Sequence, residues 1–128
     1  MNMLFYRYGS ICEPDIISTF SSLGVSVIEE KTEIYDKHIS NSSRVELIRN
    51  LLENHKPVFV FTINFFPVIA ELCHIYGILY LSWSVDCPVM DYFDKAILYD
   101  TNRIFLFDYE QYKLFHPYNP DCVFYLPL

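Results

Sequence analysis

Glu13 and Asp86 each lie a few residues beyond an apolar, strand-like run, where an acid can reach a bound ligand. Either could act as a general base and take a proton from a substrate hydroxyl. Tyr8, Gly9 and Ser10 leave the first such run, Asn64, Phe65 and Phe66 leave another, and Ser84 a third. Hydroxyls, an amide and flat aromatic faces, with Trp83 among them, suit a sugar or another flat polar ligand. Each residue also has a plainer reading. Asp86 could cap a helix before Pro88, Glu13 could cap the first helix, and at least two of Tyr8, Phe65, Phe66 and Trp83 are expected in the core.

Other chemistries find poor support. A dinucleotide turn needs Gly-x-Gly-x-x-Gly, so that the backbone can approach a pyrophosphate. Here the turn is Tyr8-Gly9-Ser10-Ile11-Cys12, with one glycine, and no Gly-Lys-Ser loop follows. Pro14 and Pro67 each remove an amide from a helix start that would otherwise attract anions. A receiver domain needs acids after its first strand, an Asp after the third and a Lys after the fifth, where this chain has Arg7-Tyr8, Asn64 and Asp108. His38, His55, His74 and His116 lack metal-ligand spacing. Ser10 and Ser84 lack the Gly-x-Ser-x-Gly elbow of a hydrolase nucleophile. Cys87 follows Asp86, whose charge would hold a thiol protonated rather than activate it.

The elements that would position these residues read as alternating strands and helices. Met3–Arg7 is the first strand, and Pro14 to Gly24 bounds a helix with Ile16, Ile17, Phe20 and Leu23 inward. Val25–Ile28 is a second strand, and Thr32–Tyr35 could form a short edge strand. A helix starting near Ser42 or Ser43, with Ser43 and Glu46 as a capping box, buries Val45, Ile48, Leu51 and Leu52 and stops at Pro57. Val58–Ile63 is almost unbroken in apolar residues, as a strand buried on both faces should be. Pro67 to Gly77 is a helix, Ile78–Trp83 a strand, Val89–Phe93 a short helix and Arg103–Phe107 a strand. Asp108, paired with Gln111, caps a helix closed by Pro117, and Val123–Leu126 is the last strand. This alternation predicts an α/β, three-layer Rossmann-like domain with a mostly parallel six-stranded sheet of order 2-1-3-4-5-6. Ligands bind such sheets at the carboxyl ends of the strands, where the order reverses. That sets Tyr8 to Glu13 opposite Asn64, Phe65 and Phe66, with Ser84 and Asp86 alongside.

Composition agrees with one domain over residues 1–128. A chain of 128 residues buries about two-thirds of its unfolded surface. At 52% hydrophobic and 20% charged it should fold, and a net charge of −7 with scattered basic residues argues against nucleic-acid and anionic-membrane partners. Cys12, Cys73, Cys87 and Cys122 form no Cys-x-x-Cys pair, so reduced thiols are expected, three or four of them at least partly buried. No run reaches the roughly eighteen apolar residues of a membrane span, and the opening Met-Asn-Met-Leu-Phe-Tyr-Arg-Tyr reads as a strand without the basic region and long apolar core of a signal peptide. A soluble, cytoplasmic protein is expected. The apolar ending Val-Phe-Tyr-Leu-Pro-Leu suggests a domain cut at a linker.

Four stretches together resemble a known family. They are Leu-Phe-Tyr-Arg-Tyr-Gly-Ser-Ile-Cys-Glu-Pro-Asp-Ile, Phe-Thr-Ile-Asn-Phe-Phe-Pro-Val-Ile, Ser-Trp-Ser-Val-Asp-Cys-Pro-Val, and Arg-Ile-Phe-Leu-Phe-Asp through His-Pro-Tyr-Asn-Pro to Tyr-Leu-Pro-Leu. In this order they resemble the N-terminal domain of CgeB-like, spore-maturation-type GT-B glycosyltransferases, least so over residues 31 to 56. The resemblance implies an acceptor-side domain with no cofactor of its own. A C-terminal domain of the same chain would bind the nucleotide-sugar donor, and a glycan or glycosylated molecule would be the acceptor. The isolated domain would then be inert. The alternative is a non-catalytic Rossmann-like module that binds a protein or glycan partner.

Overall fold

The computed structural model describes residues 1–86 and 90–128. Cys87, Pro88 and the first residue of the helix expected over Val89–Phe93 lie outside them. Six strands, β1 (Asn2–Tyr6), β2 (Ser26–Glu30), β3 (Phe59–Ile63), β4 (Leu79–Ser84), β5 (Asn102–Leu106) and β6 (Val123–Tyr125), form one sheet of order β2-β1-β3-β4-β5-β6. Every neighbouring pair is parallel. Five α-helices connect them: α1 (Glu13–Ser22), α2 (Thr32–Tyr35), α3 (Asn41–His55), α4 (Pro67–Tyr76) and α5 (Tyr109–Phe115).

Right-handed crossovers explain the layers. Only the connection from β1 to β2 runs toward the β2 edge, so α1 lies on one face and the other helices on the opposite face. Two clusters of side chains mark those faces. On one, Leu4, Tyr6, Val60, Tyr80 and Ile104 pack against Ile48, Leu52, Ile69 and Cys73 of α3 and α4. On the other, Met3, Phe5, Phe61 and Ile63 meet Ile16, Ile17 and Phe20 of α1. Burying each large apolar side chain is worth about 1.5–3 kcal/mol. The central strands β1 and β3 spend such residues on both faces, which is why they read as unbroken apolar runs.

Local chemistry moved several boundaries. Thr32–Tyr35 is a single helical turn, not an edge strand, because Glu30 accepts a hydrogen bond from the Thr32 amide (2.8 Å) and turns the chain. The cap of α3 is Ser40 rather than Ser43. Ser40 has the extended backbone a cap needs, and its hydroxyl accepts from the Ser43 amide at 3.1 Å, while Glu46 points outward near Arg49. Leu23 lies past the last turn of α1 and is 73% exposed, so it drops out of the predicted stripe. β2 continues into the charged Glu29 and Glu30 because Arg7 pairs with Glu29 and the Arg7 amide donates to the Glu30 carbonyl. Residues Lys95–Leu98 form a 3-10 helix capped by Asp94, whose carboxylate accepts from the Ala96 amide at 2.9 Å. Asp108 caps α5 through the Gln111 amide at 2.9 Å, but the buried Gln111 side chain makes no return bond.

Candidate functional site

The carboxyl ends of β1, β3 and β4 converge on Asn64. Its backbone sits at φ +61°, in the left-handed region that asparagine tolerates better than most residues. This lets the chain leave β3 sharply and start α4 three residues later. All of its polar groups are then engaged. The backbone amide donates to the Trp83 carbonyl (2.8 Å), and the backbone carbonyl accepts from the Thr62 hydroxyl (2.6 Å). The side-chain oxygen accepts from the Val85 amide (3.2 Å), and the side-chain nitrogen donates to the Tyr8 hydroxyl (3.0 Å) and to Asp86 Oδ2 (2.8 Å). One amide therefore ties the loops after β1 and β4 to the end of β3.

Asp86 is exposed at this junction, with one carboxylate oxygen oriented by Asn64. The Ser84 hydroxyl donates to the Asp86 carbonyl (2.9 Å) and sets the turn that presents the carboxylate. Tyr8 is half-buried. Burial, aided by the negative charges of Asp86 and Glu13, raises its pKa against the opposing hydrogen bonds from Ser10 and Asn64. Its hydroxyl thus stays neutral and available as a donor at physiological pH. Phe66 packs against Tyr6 and Tyr8, with ring centroids 5.4 and 5.7 Å away, and the Arg44 guanidinium lies 5.4 Å from its ring.

Two residues expected in the crevice face the interior instead. Phe65 is 1% exposed and stacks on Tyr80 and Tyr92, so it offers a ligand no face. Ser84 is fully buried, and its hydroxyl serves the Asp86 turn. For Phe65 the reason is the left-handed step at Asn64, which turns it into the cluster with α3 and α4 and leaves Phe66 at the edge.

Glu13 also departs from the role of a base. It is fully buried at the start of α1. Its carboxylate accepts from the Tyr8 amide (2.9 Å), the Gly9 amide (3.1 and 3.3 Å) and Arg7 Nε (3.1 Å). Arg7 reaches Glu29 with its other arm at 2.7 Å. Gly9 makes this possible, with φ +100° and Lys37 Nζ only 3.0 Å from where a side chain would begin. A carboxylate satisfied in this way holds a turn closed. The cap reading of Glu13 is the nearer one, although Glu13 caps the incoming turn rather than its own helix.

Sequence reasoning missed the network beside the crevice. Glu33 of α2 accepts from the Tyr6 hydroxyl and from Arg44 of α3, and Arg44 also donates to Tyr6 (3.0 Å) and Asn41 (2.6 Å). Apart from Tyr6, these groups lie in the polar stretch 31 to 44, where no period points to a partner. Thr62 and Tyr80 were also missed. Their hydroxyls share a bond of 2.6 Å beneath Asn64, and Tyr80 accepts from the Phe66 amide at the start of α4 (3.1 Å).

Among the described residues no cluster of three or more His, Cys, Asp or Glu could hold a metal ion, and no helix is long and apolar enough to cross a membrane. Cys12, Cys73 and Cys122 are free thiols. The architecture is a Rossmann-like α/β domain with the strand order expected from the sequence. No family model and no curated protein matches the chain.

Proposed function

We propose that this domain is the acceptor-side half of a GT-B glycosyltransferase, with Asp86 as the general base. The observation that supports this most is the pairing of Asn64 with Asp86: an exposed carboxylate, oriented through one oxygen, at the switch point of the sheet. The Tyr8 hydroxyl and the Phe66 edge beside it suit a sugar, which offers hydroxyls at its rim and C–H faces between them. In the reaction, Asp86 would take the proton of an acceptor hydroxyl as its oxygen bonds to the anomeric carbon of the donor sugar. The bond from that carbon to the nucleoside diphosphate would break, and the diphosphate would leave with the electron pair.

The donor would be held by a C-terminal domain of the same chain, in a cytoplasmic enzyme, since Glu13 already fills the turn after β1 where a phosphate would otherwise bind. The test uses the full-length protein. Calorimetric titration with a panel of nucleotide sugars should find one that binds, and transfer to a glycan acceptor should be lost in Asp86→Asn. Failure of every donor to bind refutes the transferase reading. Wild-type turnover in Asp86→Asn removes Asp86 as its base.

A further inference from the structure

We infer that the turn between β1 and α1 is a latent oxyanion site, filled in the wild-type protein by the chain's own Glu13 carboxylate. The Tyr8 and Gly9 amides point at one spot, as successive N–H groups do in the anion-binding nests of phosphate loops. Both of them, and Arg7 Nε, bond to the Glu13 carboxylate within 2.9–3.3 Å. Lys37 stands over the same turn and donates to the Tyr8 carbonyl, which adds a second positive charge. Two cations and two converging amides are an unusual gathering in a chain of net charge −7. The ligand present is fully buried and is itself an oxyanion.

This turn follows the first strand of a doubly wound sheet, where a dinucleotide's phosphates bind in folds that take them. A covalently tethered carboxylate competes at a high effective concentration, so a free phosphate cannot displace it. The phosphates of any nucleotide are therefore excluded from this turn. The ligand class of the emptied site is a small oxyanion, a carboxylate or a phosphate.

Emptying the site tests this on the full chain. Glu13→Ala should unfold at a lower temperature than wild type and regain stability in sodium phosphate or formate, relative to chloride at equal ionic strength. At ten times the anion's Kd the midpoint should rise by about 5 °C, and the Tyr8 and Gly9 amide resonances should shift. Glu13→Gln keeps the side chain in place, so it should respond as little as wild type. An alanine variant that responds no more to phosphate or formate than to chloride overturns the inference, and so does a wild-type response of equal size. An alanine variant that stays unfolded in both oxyanions also counts against it, since an external anion then fails to refill the turn.

Discussion

Replacing Asn64 separates the two things it does, which are to occupy a left-handed backbone position and to tie together the loops after β1 and β4. Asparagine already carries a Cβ at φ +61°, so alanine keeps that strain, about 1–2 kcal/mol, and loses the side-chain bonds that offset it. It also strips the Val85 amide of its partner, worth about 1 kcal/mol in a half-buried place. Asn64→Ala should therefore lose about 1–2 kcal/mol, a sizeable share of the roughly 5–15 kcal/mol that holds a domain together. Asn64→Gly loses the same hydrogen bonds but not the Cβ clash. Even after the extra entropy that glycine gives the unfolded chain, it should be about 1 kcal/mol more stable than Asn64→Ala. Asn64→Asp keeps the acceptor for Val85 but sets a second carboxylate against Asp86. One of the pair then has a raised pKa in the folded state, so this variant should gain stability relative to wild type as the pH falls. Urea unfolding followed by the single tryptophan, Trp83, measures all three. A glycine variant no more stable than the alanine variant would refute the strain argument. An aspartate variant with the wild-type pH profile would refute the proximity of the two carboxylates.

The two carboxylates singled out by position should behave in opposite ways. Glu13→Gln leaves the half-buried Arg7 beside a neutral amide and turns two buried N–H donors toward an NH2 group, so urea unfolding should show a loss of about 3 kcal/mol. Asp86→Asn changes an exposed group and should stay within about 0.5 kcal/mol of wild type. Alkaline pH should unfold the domain. Burial raises the pKa of Tyr6, Tyr80 and Tyr92 above the ordinary value near 10. The unfolded chain ionises first, so the stability these groups contribute is complete below about pH 10 and is lost as the pH climbs toward their folded values. Denaturation at fixed urea should show that fall, and it should shrink in Tyr92→Phe.

Most of the fold was legible because it rests on periodicity. The almost unbroken apolar run Val58 to Ile63 and the stripe of Val45, Ile48, Leu51 and Leu52 announce a central strand and its covering helix before any contact is known. Parallel order follows from alternation and handedness alone. The edge of the sheet was less legible, because there the decisive forces are hydrogen bonds between residues far apart in sequence. Nothing in residues 31 to 44 shows that Glu33 and Arg44 will meet across Tyr6, or that a one-turn helix will form to bring them there. Phe65 and Phe66 are the same residue type in adjacent places. Only the left-handed backbone at Asn64 sends one into the core and leaves the other at the crevice.

Glu13 and Asp86 show how far position alone can carry a functional argument. Glu13 opens α1 beyond the end of β1, and Asp86 follows the end of β4. What separates them is the number of donors the backbone turns toward each. The turn after β1 folds back on Glu13, so that its Tyr8 and Gly9 amides and the Arg7 side chain converge on one carboxylate and bury it. The turn after β4 is shaped through the Asp86 carbonyl, which Ser84 holds, and this leaves the carboxylate at the surface with Asn64 to aim it. A buried, saturated acid closes the fold's usual phosphate entrance, and an exposed, oriented acid nearby is suited to a neutral hydroxyl. Under the proposed function the two assignments support each other: a domain that shuts out phosphate at its first turn would keep its crevice for an uncharged acceptor.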